Sequence, residues 1–150
     1  ILNLKDPSKN WYAPAVKYCA IHLASFLKRD LDVPAAEIVI IPSSTKGNVS
    51  AGLEKIVQAI CRNDKRFSYT RGTLSRHTTI EKLATGGDRS LQVHLDSMSY
   101  KLNAGEPKTK IILDDITTSG NSLGGAITVI SQVDQSFTYI PVVLGKTTHD

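Results

Sequence analysis

Between Ala15 and Arg29 the apolar residues Val16, Cys19, Ala20, Leu23, Phe26 and Leu27 recur every three or four positions, the spacing of one helix face. Pro34 lies in the break that follows. Residues 37–42, EIVIIP, form a short continuous apolar run rich in β-branched side chains, which predicts a strand buried on both faces. The polar loop SSTKGN comes next, and VSAGLEKIVQAICR returns to helical spacing through Leu53, Ile56, Val57 and Ile60. A short strand is expected within residues 66–74, around Phe67 and Tyr69. From Leu74 to Arg89 no period is clear; the stretch carries Arg76, His77, Lys82, Arg89 and the pair Gly86-Gly87, and reads as a long mobile excursion. Residues 91–95, LQVHL, alternate as a strand does. KTKIILDD is a second buried strand, ITTSGNS a second polar loop, and LGGAITVISQV a helix with Leu123, Ala126, Ile127 and Ile130 on one face. FTYIPVVLGKT closes the chain as a further strand.

Strands that alternate with helices predict an α/β fold, because a right-handed crossover returns each strand parallel to the last. The expectation is a single domain over residues 1–150, a central, mainly parallel twisted sheet flanked by helices. In such sheets ligands sit beyond the carboxyl ends of the strands. Both polar loops, 43–48 and 116–122, fall there.

Composition narrows the function classes. The 150 residues are 41% hydrophobic and 21% charged, the balance of a globular domain without disorder bias. No apolar stretch approaches the roughly 20 residues that span a bilayer, and no signal sequence opens the chain, so a cytoplasmic location with no membrane partner is expected. Cys19 and Cys61 occupy apolar helical positions and read as buried thiols rather than a disulfide. The match Asn48-Val49-Ser50 to a glycosylation acceptor is discounted on the same ground. A net charge of +4 suits an anionic ligand as well as it suits nucleic acid. An initial Ile in place of Met leads us to expect an excised or trimmed domain.

The stretch KIILDDITTSGNSL, residues 110–123, carries the chemistry. Asp114 and Asp115 end the expected strand, and Thr117, Thr118, Ser119, Gly120 and Asn121 turn into a helix whose unpaired N–H groups make a phosphate seat. Acids beside that seat would repel a phosphate. The conflict disappears if they face sugar hydroxyls, or waters on a divalent cation, with the phosphate one turn away. A phosphorylated sugar with Mg2+ is the ligand this implies.

Residues 111–123 resemble the phosphoribosylpyrophosphate (PRPP) signature of type I phosphoribosyltransferases, in which apolar strand residues, two acids, an apolar residue and a Thr/Ser/Gly-rich loop precede a helix. IVIIPSSTKGN is placed like that family's first strand and pyrophosphate loop, and residues 71–100 like its mobile catalytic loop. The N-terminal helix, with LSR followed by DRSLQV, is most similar to the ComF-type branch. The resemblance implies that Asp114 and Asp115 bind the ribose 2- and 3-hydroxyls and Mg2+, that Thr117 to Asn121 hold the 5-phosphate, and that Ser43, Ser44, Thr45 and Lys46 receive the pyrophosphate, in a loop where a non-proline cis peptide is frequent. It implies that Arg71, Arg76, His77 or Lys82 closes over the leaving group, with Arg71 assigned to pyrophosphate and Arg76 and Lys82 to catalysis. In 6-oxopurine enzymes an acid stands where Thr118 stands here, so the resemblance argues against a hypoxanthine or guanine substrate.

Competing readings are weaker. GNVSAGLE imitates half of a P-loop, but Leu53-Glu54 replaces the required Lys-Ser/Thr. His22, His77, His94 and His149 have no metal-ligand spacing with the cysteines. A nucleic-acid partner rests on net charge alone and is not expected. Two classes remain, an active phosphoribosyltransferase releasing pyrophosphate to a base or amine acceptor, and a silent PRPP- or nucleotide-sensing module. Only about 35 residues precede the first core strand, so the hood that recognises a base is expected to be small or absent. A homodimer is left open.

Overall fold

The computed structural model describes residues 4–82, 86–87, 90–117 and 119–146. Helix α1 spans Tyr12–Asp30 and starts three residues earlier than its apolar stripe, since Pro14 in the first turn costs no intrahelical hydrogen bond. Lys28 and Arg29 sit in its last turn, where they favour the negative helix end. Strand β1, Ala36–Ile40, is buried at every position. Helix α2, Ala51–Asn63, begins at Ser50, whose hydroxyl accepts from the Leu53 amide at 3.3 Å.

Strand β2 is only Phe67–Ser68, and β3, Leu74–Arg76, pairs antiparallel with β4, Met98–Tyr100. The excursion expected after Leu74 therefore begins with a strand. Residues 91–95 are a correction: they belong to helix α3, Leu91–Ser97, not to a strand. Five alternating residues fit either period, and packing decides between them. His94 and Ser97, one helical turn apart, are both buried, and Ser90 caps the helix by accepting from Val93 N at 3.5 Å.

Strand β5 is Thr109–Thr117, helix α4 Asn121–Val133 and strand β6 Thr138–Lys146. The main sheet is fully parallel, in the order β2-β1-β5-β6. Alternate residues of its strands feed two cores. Ile38, Ile40, Ile111 and Leu113 pack with Leu23 and Leu27 of α1 and with Leu53, Ile56, Val57 and Ile60 of α2. Val39, Ile41 and Ile112 pack on the other face with Ala126, Val129 and Ile130 of α4, roofed by Leu74, Met98 and Tyr100. Gly125 of α4 fits tightly against α3, because a Cβ there would stand 2.6 Å from the Cβ of His94. Pro141 sits within β6, which tolerates it as an edge strand.

Charges also lie inside. Lys110 is wholly buried and bonds Glu37 at 2.5 Å and Glu106 at 3.4 Å, over the ring of Phe137. Burial pushes the Glu37 carboxyl up from its ordinary range, against the pull of the Lys110 ammonium. Cys19 and Cys61 are free thiols, and no described helix is long and apolar enough to cross a membrane.

Candidate functional site

Strands β1 and β5 part company at their carboxyl ends. The two strands stay in register to Ile40 and Leu113, and Ile41 N still donates to Leu113 O at 2.9 Å. Beyond that point β1 turns into the loop 43–50, while β5 continues to Thr117 because β6 pairs with it as far as Lys146. The expected strand end at Asp114 is thus corrected. Asp114 and Asp115 lie within β5, on a stretch that keeps its β6 neighbour and has lost its β1 neighbour.

The two carboxylates are held differently. Asp114 Oδ1 accepts from the Asp115 amide at 2.8 Å and Oδ2 from the Ser122 hydroxyl at 2.9 Å. Burial first, and the neighbouring Asp115 charge second, push Asp114 up to about 6. Asp115 Oδ1 accepts from Ile116 N at 2.8 Å, and its Oδ2 lies 3.5 Å from the Lys5 ammonium. Ser122 lies just past the residues assigned to the phosphate seat. The sequence signal for it was the hydroxyl run continuing into the helix.

The turn after β5 leads straight into a helix. Gly120, at φ +81°, lies in the left-handed region and precedes the first helical residue of α4, and no acid occupies the first turn of that helix. The Ser119 hydroxyl accepts from Asn121 N at 3.3 Å. Thr117 Oγ1 is buried without a hydrogen-bond partner. Thr118 lies outside the described residues.

The loop after β1 is closed on itself and clamped from outside. Ser43 N donates to Asn48 O at 3.0 Å, Asn48 N to Thr45 O at 3.1 Å, and Gly47, at φ +71°, makes the turn. Residues following β3 run along it: Lys46 N donates to Thr79 Oγ1 at 2.9 Å, Gly47 N to Arg76 O at 3.0 Å, and Ile80 N to Ser44 O at 2.9 Å. No hydrogen bond within the described residues engages the amides of Ser44 and Thr45. Lys46 is exposed beside them. The cis peptide implied for this loop is not found among the described residues.

The expected arms of the mobile loop separate. Arg76 is a correction: at 1% exposure its guanidinium is an internal strut that donates to Ser43 O at 2.8 Å, bonds Ser97 Oγ and approaches His94 Nδ1 at 3.4 Å. Such a group cannot swing over a leaving group. Lys82 is exposed, and its carbonyl accepts from Gly87 N at 3.2 Å. Arg71 pairs with Glu54 Oε2 at 3.2 Å, on the first turn of α2 that follows the loop. His77 is exposed and bonds Thr78. Two open grooves elsewhere, between α1 and α2 and between α1 and β6, include none of these residues.

Asp114 and Asp115 are adjacent hard-oxygen donors, with the Asp115 charge burdening Asp114, and no cluster of three or more His, Cys, Asp or Glu occurs among the described residues. That donor set fits Mg2+ retained by one or two carboxylates and completed by water and a phosphorylated ligand.

A four-stranded parallel sheet in this order, flanked by helices, has the fold of the type I phosphoribosyltransferases. Among solved structures, the chain is similar to the xanthine-guanine-hypoxanthine phosphoribosyltransferase of Helicobacter pylori, with TM-score 0.53 and 11% identity, over 92% of this chain and 77% of that one. A hypoxanthine phosphoribosyltransferase from Staphylococcus aureus matches with TM-score 0.49 and 12% identity, over 100% of this chain and 83% of that one. No family model matches the sequence, and no curated protein matches it. At such identity the likeness defines the fold and not the substrate.

Proposed function

We propose that this domain binds PRPP with Mg2+ and transfers its phosphoribosyl group to a nitrogenous acceptor, releasing pyrophosphate. The observation that carries the reading is the juxtaposition at one sheet edge: the loop 43–48 after β1 and the turn 117–121 after β5, with Asp114 and Asp115 on the strand beside the opening. In this reading the amides of Ser44 and Thr45, with Lys46 and Arg71, receive the pyrophosphate. The turn from Thr117 to Asn121 takes the 5-phosphate, and the unpartnered Thr117 hydroxyl has a donor to give. Asp114 and Asp115 hold the ribose hydroxyls and the waters of Mg2+.

When bound, Mg2+ would supply charge stabilisation to the departing pyrophosphate. The chain's own part is electrostatic. Backbone dipoles of the loop, fixed before the reaction by the clamp from residues 76–80, would meet the anion without reorganising, and the exposed Lys46 would add its charge. Lys82, the exposed member of the two residues assigned to catalysis, would close over the leaving group.

The burial of Arg76 favours a second reading, a silent sensing module that keeps the ligand seat but lacks one of the two expected arms. Calorimetry with PRPP and Mg2+ tests the shared claim, using Asp114→Asn/Asp115→Asn as the control. Affinity should fall by about 1–3 kcal/mol for each charge-assisted hydrogen bond lost, whereas inorganic phosphate should bind the variant as well as the wild type. Equal PRPP affinity in both proteins defeats the proposal. Pyrophosphate release over an acceptor panel then separates enzyme from sensor.

A further inference from the structure

The N-terminal segment reaches the carboxylate pair from the far end of the chain. Leu4 is 1% exposed and packs in the core under α2. Its position is fixed closely, since a Cβ on Gly52 would stand 2.5 Å from Leu4 O. Two residues on, Asp6 ties the chain into a turn, accepting from the amide and hydroxyl of Ser8 and, through its carbonyl, from Lys9 N. Between these anchors Lys5 extends its ammonium to Asp115 Oδ2, with more than half of its side chain in solvent.

We infer that Lys5 is a tethered counter-cation for Asp115: ammonium and divalent cation compete for the same carboxylate, so that metal binding releases Lys5 towards the anionic groups of the ligand. The inference rests on the assignment of Asp115 to the metal under the proposed function. Its physics is simple. Two cations drawn to one carboxylate, the metal through its waters, repel each other, and an ammonium more than half in solvent is held weakly enough for a doubly charged ion to displace. The anchors matter because they return the ammonium to the same place whenever the metal leaves.

Titration calorimetry with Mn2+ alone tests this on wild type, Lys5→Met, Lys5→Arg and Gly52→Ala. Lys5→Met removes the competitor and should tighten Mn2+ binding about threefold to fivefold. Gly52→Ala displaces Leu4 without altering any candidate ligand residue and should shift affinity in the same direction. Lys5→Arg keeps the charge and should behave as wild type. Acylation of Lys5, followed by mass spectrometry, should accelerate in wild type when Mn2+ is added. Equal Mn2+ affinity in wild type and Lys5→Met overturns the inference even where the wild type binds PRPP with Mg2+. Absence of Mn2+ binding in all four proteins also overturns it, and the PRPP titration of wild type then judges the proposed function separately.

Discussion

The Arg76 guanidinium donates to the Ser43 carbonyl at 2.8 Å, joining the β3/β4 ribbon to the first residue of the loop that follows β1. The same side chain touches Ser97 and His94 on α3, which packs on α4 at Gly125. One buried residue therefore links the supports of both loops at the carboxyl end of the sheet.

Replacing Arg76 with Met should loosen the loop 43–48 before it unfolds the domain. Each buried group left without its partner costs about 1–3 kcal/mol, so a urea midpoint well below wild type is expected. Hydrogen exchange should locate the change at the Gly47 and Asn48 amides. Unchanged protection there, in a folded variant, would show that the strut does not hold the loop.

Gly120→Ala should cost about 1–2 kcal/mol, the penalty for placing an L side chain in the left-handed region. Steric overlap is not the cause, because nothing among the described residues lies within 4 Å of the added Cβ. Gly120→Asn should cost less, since Asn tolerates that conformation. Denaturant melts of the three proteins rank them, and identical stability for Ala and Gly would mean the turn does not need a positive φ.

Lys110→Met should destabilise the fold by about 3–5 kcal/mol, because it leaves the Glu37 and Glu106 carboxyls buried with no cation. Adding Glu37→Gln and Glu106→Gln to that variant should recover much of the loss. If the triple variant is no more stable than Lys110→Met, lost packing and not unpaired charge explains the effect.

Asp134, lowered to about 2 by the Ser136 hydroxyl and amide and then by Lys108, predicts part of the acid limb of stability. A carboxyl depressed in the folded state binds its proton more readily when unfolded. Its contribution is therefore complete above its ordinary 3.8 and is lost as pH falls through about 2. Thermal melts of Asp134→Asn should converge on those of the wild type across that window, with the variant less stable above it.

What the sequence determined by itself was local and periodic. The apolar runs 37–42 and 109–114 could only be buried strands, and the stripes through Leu53 and Leu123 only helices facing them. The alternation of the two placed both polar loops at one edge. The turn at Gly120 was legible because a glycine just before a helical run suits the left-handed backbone found there. Tertiary structure decided the rest. Whether LQVHL became strand or helix depended on burying His94 against Gly125, a residue 31 positions away. How far β5 ran depended on β6 pairing to Lys146, which moved the acids from the strand end into the strand. Arg76 looked like a surface arm until Ser43, His94 and Ser97 closed around it, and Lys110 was hidden in an apolar run until Glu37 met it across the sheet. Lys5 and Asp115 lie 110 residues apart, and no pattern along a chain encodes a charge pair made by two segments that meet only after the core has formed.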